Sequence, residues 1–275
     1  MEKMMLTPRN LGFPEISTLD SKILEVYKEA IGSYKGRALD SLNILKKKGG
    51  EVTGSNCFAP LILREVLPED TRLATMADLG RTTEINPNFF QGVYSDTGLV
   101  LRTAADSYNN NDFLAKDLAK QFKRRGIKLD APKIIYFDAL DLKEDKNSFY
   151  GLAYELNEKA KLEENIIDAP ELVLNFQFKT MNEKGIPIKD EKENRTLYTR
   201  KDGLSRFGLN GNSVVDSDYW DLAYSGGGGR VVVVSAEGTR VNSDKYMQNL
   251  KQLRDEEIAK INERYEKAKA ILSGK

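Results

Sequence analysis

The sequence predicts a mixed α+β protein: N-terminal helices, a sheet with one βαβ unit followed by antiparallel hairpins, and a long C-terminal helix. Apolar residues recur every three or four positions near both ends of the chain, which is typical of amphipathic helices. A strand–helix–strand pattern occupies the middle, and turn residues separate short apolar runs after it. We therefore expect an N-terminal helical region (1–50), a mixed α/β domain (51–242) and a C-terminal helix (243–275).

Two helices are predicted in the N-terminal region. Ser17 is a typical N-cap, and apolar residues then share one helical face from Leu19 to Tyr34. A second helix is predicted from Arg37 to Lys48, because lysines favour the negative end of a helix and Gly49-Gly50 would terminate it. Shorter helices are predicted at Ala59–Val66 and Asp70–Leu79.

The clearest pattern lies in the middle of the chain. Gly98–Thr103 is a short apolar run, and Lys133–Phe137 is another. Between them, apolar residues recur every four positions from Asp112 to Arg125, and Gly126 ends this predicted helix. A strand, a helix and a second strand in this order predict a parallel, right-handed βαβ unit.

The remainder before the last helix is predicted to be rich in strands. Turn-forming residues separate the apolar runs, and no run repeats at a fixed period. The predicted strands are Phe149–Leu156, Leu172–Lys179, Arg195–Thr199, Tyr219–Tyr224 and Arg230–Ser235.

The C-terminal helix is predicted to run from Ser243 to Gly274. At about 1.5 Å per residue its length is about 45 Å, which exceeds the width of a small domain. Part of the helix is therefore expected to contact a protein partner or a second copy of the chain, although packing along its own domain stays an alternative. The candidate contact residues share an apolar, coiled-coil-like stripe: Leu250, Leu253, Ile258, Ile261, Tyr265 and Leu272.

Composition excludes several classes of function. The chain has no histidine and a single cysteine, Cys57, so Ser-His-Asp catalysis, His-ligated zinc, iron–sulfur clusters and intrachain disulfides are excluded. Equal numbers of basic and acidic residues, 42 each, argue against a polybasic membrane binder and do not favour a nucleic-acid partner. No signal peptide or membrane span is recognisable, so a cytoplasmic location is expected.

Clustered aspartates are the candidate metal ligands, and Mg²⁺ is the cofactor that they would suit. The first group follows the predicted βαβ strands, where ligands bind in parallel sheets. The second lies between Arg206 and Arg230, where all charged residues are acidic. The six residues are Asp106, Asp138 and Asp141 in the first group, and Asp216, Asp218 and Asp221 in the second. Helix caps and exposed acidic turns are the alternative explanation for both groups.

Two further motifs concern phosphate. A basic cluster lies at the C-terminal end of the middle helix; its cations would complement the helix dipole, and an anion-binding patch is the alternative. Its members are Lys120, Lys123, Arg124, Arg125 and Lys128. Gly226–Gly229 lacks the Gly-Lys-Ser/Thr sequence of a Walker loop, so it is predicted to be a flexible hairpin loop.

Two function hypotheses from different classes follow. The first is a non-catalytic intracellular binding or scaffolding protein that makes contacts through its C-terminal helix. The second is a Mg²⁺-dependent enzyme that acts on a phosphorylated or nucleic-acid substrate through its clustered aspartates. A virus-associated or assembly protein is a third possibility that composition does not separate from the first.

Overall fold

The computed structural model describes residues 16–19, 22–49, 51–68, 71–86 and 88–235, and the helical positions 258, 259, 262, 265 and 269. Within these residues the protein is mostly β-sheet, so the predicted α+β class is wrong. An eight-stranded sheet curls into a half-barrel. The helices of the described part are short, and the longest has 13 residues.

The chain order of the elements is as follows. The helices are α1 (Ile23–Ala30), α2 (Gly36–Leu42), α3 (Ala59–Val66), α4 (Met76–Ile85), α5 (Asp112–Arg124) and α6 (Leu162–Asn165). The strands before α5 are β1 (Ile16–Thr18), β2 (Lys46–Lys48), β3 (Glu51–Thr53), β4 (Thr71–Leu73) and β5 (Tyr94–Leu101). The later strands are β6 (Lys133–Tyr136), β7 (Leu140–Glu144), β8 (Leu152–Leu156), β9 (Ile166–Asp168), β10 (Phe176–Met181), β11 (Pro187–Lys189), β12 (Arg195–Thr199), β13 (Leu204–Asn210), β14 (Val214–Ser217) and β15 (Val232–Ser235).

The half-barrel has the strand order β11-β10-β12-β14-β13-β5-β6-β9. Every neighbouring pair is antiparallel except β12 and β14, which run parallel. The described residues also form three smaller sheets: β1-β15-β4, β2-β3 and β7-β8.

The predicted βαβ unit is wrong, although its two strands and its helix are present. Leu101 at the end of β5 pairs with Lys133 at the start of β6, so the two strands are antiparallel. The loop and α5 therefore return the chain to the end of the sheet where β5 finished. Apolar periodicity predicts which residues are buried but carries no information about strand direction.

The sheet has a hydrophobic core on each face. Leu99 and Leu204 face a core shared with α1, α2, α3, α5 and β8, which we call the helix-covered face. Phe207 and Val215 face the other core, to which α4 contributes Leu79, and we call this the α4 face. Because side chains alternate along a strand, the central strands β5, β6 and β13 supply both cores.

One end of the α4 face is closed by a buried arginine. The Arg102 guanidinium donates to the carbonyl oxygens of Leu172 and Ser217 and to the hydroxyls of Thr199, Ser205 and Ser217. Burial, together with the charge of nearby Arg200, lowers the pKa of Arg102 to about 9. Neutral acceptors therefore satisfy this charge within the sheet.

The N-terminal region differs from its prediction in two places. The first helix starts at Ile23, because Ser17 belongs to β1 and pairs with Val233 of β15. The second helix ends at Leu42, and Lys46–Lys48 forms a strand of the β2–β3 hairpin. The buried residues of α1 and α2 lie in the same core as Leu99.

Some of the remaining predicted helices and strands are confirmed, and others are wrong. The helix Ala59–Val66 is confirmed, and α5 ends one residue before its predicted last residue. No strand forms at Tyr219–Tyr224, whereas β13 and β14 were not predicted. Most of the predicted C-terminal helix lies outside the described residues. Within the described part of the chain, no helix has the length and apolarity needed to cross a membrane.

Candidate functional site: a tyrosine-lined cleft on the sheet

A cleft of about 140 Å³ opens on the helix-covered face where β5, β13 and β14 lie side by side. Strand register places Asp216, Gly208 and Asp96 in one row across these strands. A Cβ atom on Gly208 would lie 2.6 Å from the carbonyl oxygen of Ser95, so only glycine fits there. The missing side chain leaves a gap between the two carboxylates, and this gap is part of the cleft.

A buried ion pair supports one side of the cleft. Arg206 Nε donates to Asp96 Oδ1 at 2.7 Å, and its Nη2 donates to the other carboxylate oxygen. Ser55 Oγ donates to Asp96 Oδ2 at 2.6 Å, while Arg206 Nη1 donates to the Tyr224 carbonyl at 2.9 Å. Burial opposes the charge of Arg206, but Asp96 raises its pKa well above the ordinary value. The pair is thus fixed and electrically neutral as a unit.

Asp216 lines the opposite side and has different surroundings. Its Oδ1 accepts the backbone N–H groups of Asp218 and Tyr219, each at 3.2 Å. Burial and the adjacent Asp218 carboxyl together raise the pKa of Asp216 to about 6, although the two N–H groups act in the opposite direction. Among the described residues, no basic side chain forms an ion pair with Asp216.

Three tyrosines complete the lining. The Tyr219 and Tyr224 rings lie 5.5 Å apart and are tilted by 57°. Tyr94 stands at the start of β5, and its hydroxyl accepts the N–H of Gly226 at 2.7 Å. The Arg206 guanidinium lies 5.4 Å from the Tyr94 ring centroid and 5.5 Å from that of Tyr219. The rings and the ion pair therefore hold one another in place.

The tetraglycine segment is a packed loop beside this cleft. Gly226 N–H donates to Tyr94, and the Gly229 carbonyl accepts the N–H of Gly54 at 2.7 Å. A Cβ atom on Gly229 would lie 2.6 Å from the Ser55 nitrogen. These glycines allow close packing against the start of β5. The segment does not connect a hairpin, because no strand forms at Tyr219–Tyr224.

In the second predicted metal group, the carboxyl groups of Asp216 and Asp218 lie close enough to interact, whereas Asp221 has contacts of its own. Asp216 lines the cleft and Asp218 is exposed beside it. Asp221 Oδ1 accepts the N–H groups of Ala223 and Tyr224, each at 3.1 Å, which is a turn-forming arrangement. Within the described ranges, no group of three or more acidic or cysteine side chains could hold a metal ion. A Mg²⁺ ion at these positions stays a prediction.

The first predicted metal group is not brought together at one sheet edge. Because β5 and β6 are antiparallel, Asp106 and Asp138 follow opposite ends of the strand pair. Asp106 is buried and pairs with Arg200 at 3.1 Å, while Asp141 pairs with Arg64 at 2.7 Å. Burial raises the pKa of Asp138, and the charges of nearby arginines only partly offset this.

The predicted anion-binding cluster lies at the exposed end of α5 and in the loop after it. Lys120, Lys123, Arg124, Arg125 and Lys128 are all exposed. Arg125 pairs with Glu158 at 2.8 Å. Arg124 and Arg125 line a cavity together with the acids Asp141, Glu155 and Glu158. Acidic side chains therefore balance the basic ones around this cavity.

Of the predicted partner-binding residues, the structure describes Ile258 and Tyr265. Both have helical backbone, and their side chains are 48% and 63% exposed. Leu250, Leu253, Ile261 and Leu272 lie outside the described residues.

Sequence reasoning identified Asp216 but missed the residues that form the rest of the cleft. Arg206 places a charge within a largely apolar strand, which is a signal that could have found it, whereas Asp96 lies in the polar run Ser95–Thr97 and gave no such signal. They are 110 residues apart in the chain, so their pairing depends on the fold. Comparison of the chain with protein-family models, curated proteins and solved structures found no match.

Proposed function

We propose that the protein is a non-catalytic binding protein whose small ligand occupies the tyrosine-lined cleft. The cleft itself supports this proposal most strongly, because the buried Asp96–Arg206 pair forms one fixed wall and Asp216 lies opposite. Ligand sites are concave, partly apolar and furnished with a few fixed polar groups. Groups that are held in place before a ligand arrives also lose little entropy when it binds.

Binding is favoured over acid–base catalysis by the state of Asp96. Both of its carboxylate oxygens accept hydrogen bonds from Arg206, and Oδ2 also accepts one from Ser55. A general base needs an oxygen that can approach a substrate proton. Asp216 is the other carboxylate in the lining, and its neighbour Asp218 lies beside the cleft rather than in it, so the lining offers a substrate no second free carboxylate for a paired acid–base mechanism.

A screen by ligand-observed NMR tests the proposal. A library of neutral, cationic and anionic compounds is mixed with the full chain, and the hits are repeated with Tyr219→Ala. Cleft ligands are expected to lose their signal with this variant and to keep it with Arg125→Ala, which alters a different cavity. The proposal fails if Tyr219→Ala abolishes the binding signal of no compound, although circular dichroism shows that both variants are folded.

The exposed helical residues support protein contact as a second binding activity. Ile258 and Tyr265 both have helical backbone and are seven positions apart in the chain, a spacing typical of one helical face. Both expose apolar surface that a partner or a second copy could cover. We propose a cytoplasmic location for such a partner complex.

Sedimentation of the full chain tests this second activity. Self-association is expected to weaken in the double variant Ile258→Glu, Tyr265→Glu and to persist in Val26→Glu, an exposed apolar position on α1. This second activity would be excluded if the wild-type chain were monomeric and bound no protein partner whose binding the double variant weakens.

A further inference from the structure

The charges around the cleft add up to a negative site. Arg206 and Asp96 cancel, because they form a bidentate pair. Asp216 has no such partner among the described residues, and its neighbour Asp218 is a second carboxylate. Arg102, on the other face of the sheet, donates to Ser217 between them and offsets only part of their combined charge. The next base in the chain, Arg230, donates instead to the carbonyls of its own glycine loop and to Glu51.

The tyrosine rings add a second feature that favours positive charge. The face of an aromatic ring is negative, and cations bind within about 6 Å of its centre. Arg206 already lies at that distance from Tyr94 and Tyr219, so these rings are oriented towards a cation. Tyr224, 49% exposed, contacts Tyr219, and no described arginine or lysine lies over its ring.

We propose that the cleft binds an organic cation, with its ammonium group beside the Asp216 carboxylate and against the Tyr219 and Tyr224 rings. This inference rests on the proposed binding function and names the ligand class of the same site. The unpaired carboxylate supplies the counter-charge, and the rings supply apolar contact to the carbon atoms around the nitrogen.

The rival ligand classes fit the lining less well. An anion would meet Asp216 and Asp218 without a free basic group, because Arg206 is already saturated. A hydrated Mg²⁺ ion prefers several oxygen ligands, whereas the described residues provide no cluster of three acidic side chains. A tyrosine ring also gives no coordination to a metal through its face.

Choline and its neutral carbon isostere, 3,3-dimethylbutan-1-ol, test the role of charge at nearly constant shape. Each is titrated into the full chain at pH 7.5 and followed by two-dimensional NMR. Choline is expected to bind at least about fivefold more tightly than the alcohol, because only choline gains the ion pair and the cation–π contact. The shifted resonances are expected to include Tyr219 and Tyr224.

Two variants locate the charge effect. Asp216→Asn is expected to remove the preference for choline, whereas Glu183→Gln, in the exposed turn between β10 and β11, is expected to leave it unchanged. The fold of each variant is checked by its NMR spectrum. A preference for choline that survives in Asp216→Asn would overturn the assignment of Asp216 as its counter-ion.

The pH dependence provides an independent readout. The titratable and charged groups around Asp216 are Asp218 and Tyr219 in the following loop, the buried Cys57 thiol, and the Arg206–Asp96 pair on β13 and β5. Choline keeps its charge throughout. Binding is expected to weaken as the pH falls through about 6, because Asp216 becomes protonated. In Asp218→Asn the midpoint is expected to move to lower pH, because the raising effect of Asp218 on the pKa of Asp216 is removed.

The outcomes separate this inference from the proposed function. Equal binding of choline and the alcohol in the cleft would overturn the cation and leave the binding function standing. The cation proposal would also be overturned if Mg²⁺ bound tightly and choline produced no shift of the Asp216 resonance. If neither these probes nor any compound of the screen binds in the cleft, both proposals fail.

Discussion

At the scale of single residues, Asp216 combines a binding position with a cost in stability. Its pKa in the folded protein is about 6, above the ordinary aspartate value, so the folded state holds the proton more strongly than the unfolded chain. The stability that this gives is fully present below the unfolded pKa and is lost as the pH rises through about 6. Ionised Asp216 therefore destabilises the fold at neutral pH.

Asp216→Asn is accordingly expected to stabilise the protein at pH 7.5. The upper bound is about 3 kcal/mol, since one pKa unit corresponds to about 1.4 kcal/mol. Guanidinium unfolding of variant and wild type from pH 4 to 8 measures the effect. The gain should grow as the pH rises from 4 to 7, while Glu183→Gln should show no such trend. A variant that is less stable than wild type at every pH would contradict this explanation.

Residue-level reasoning found part of the site because some of its signals are local. Asp216 stood out in the sequence since no base lies near it in the chain, and the structure places it in the cleft. The opposite side of the cleft depends on contacts between residues distant in the chain, such as Arg206 and Asp96. A charge inside an apolar strand indicates a buried pair, but it does not identify the partner.

At the scale of elements, local signals predicted helices and strands with mixed success: the strand Arg195–Thr199 is confirmed, whereas Thr71–Leu73, inside the predicted helix Asp70–Leu79, forms β4. The helix Ala59–Val66 is confirmed because its start, its apolar face and its end are all encoded within a few residues. Strand β13 was missed because its cleft-facing side carries the charged Arg206 and the side-chain-free Gly208, which break the alternation of apolar residues. Strand direction in β5 and β6 was wrong because it depends on the route of the chain between them.

Helix α4 shows how a local motif also joins two elements. Thr75 and Asp78 form a reciprocal capping box at its start. Asp78 also pairs with Arg72 of β4, with Nη1–Oδ2 and Nη2–Oδ1 distances of 2.7 and 3.1 Å. Although burial opposes its ionisation, the pair with Arg72 lowers the pKa of Asp78.

Asp78→Asn is expected to destabilise the protein by about 1–3 kcal/mol at pH 7, because it removes a charged acceptor from a buried position. Since the folded pKa is lowered, the contribution of Asp78 is present above the unfolded pKa of about 4 and is lost as the pH falls through the folded pKa. Thr75→Ala should cost about 1 kcal/mol, and Thr75→Ser should restore the cap. Thermal melts at pH 7 and pH 3 measure these differences, and an equal loss at both pH values would exclude the ion pair as the cause.

At the scale of the whole molecule, the half-barrel couples its two cores. The strands β5 and β13 supply Leu99 and Leu204 to the helix-covered face, and Phe207 and Leu209 to the α4 face. The N-terminal helices join the first of these cores through Leu42. Loss of either core therefore removes support from strands that the other core needs.

We expect the described part of the chain to unfold in one cooperative transition. Leu42→Ala and Leu209→Ala, both fully buried but in different cores, should each cost about 2–5 kcal/mol. In each variant, the unfolding midpoint measured by far-ultraviolet circular dichroism should shift by the same amount as the midpoint measured by Trp220 fluorescence, because both probes would follow one event. Leu174→Ala, at a position 65% exposed, is the matched control and should change the midpoint little.

Separate transitions would contradict this coupling in an informative way. If Leu42→Ala moved only an early circular-dichroism step and left the fluorescence of Trp220 in place, the N-terminal helices would unfold as a unit of their own. The predicted boundary near residue 50 would then mark a domain. Coincident transitions would instead mean that the cleft, which lies between β5, β13 and β14, depends on both cores for its geometry.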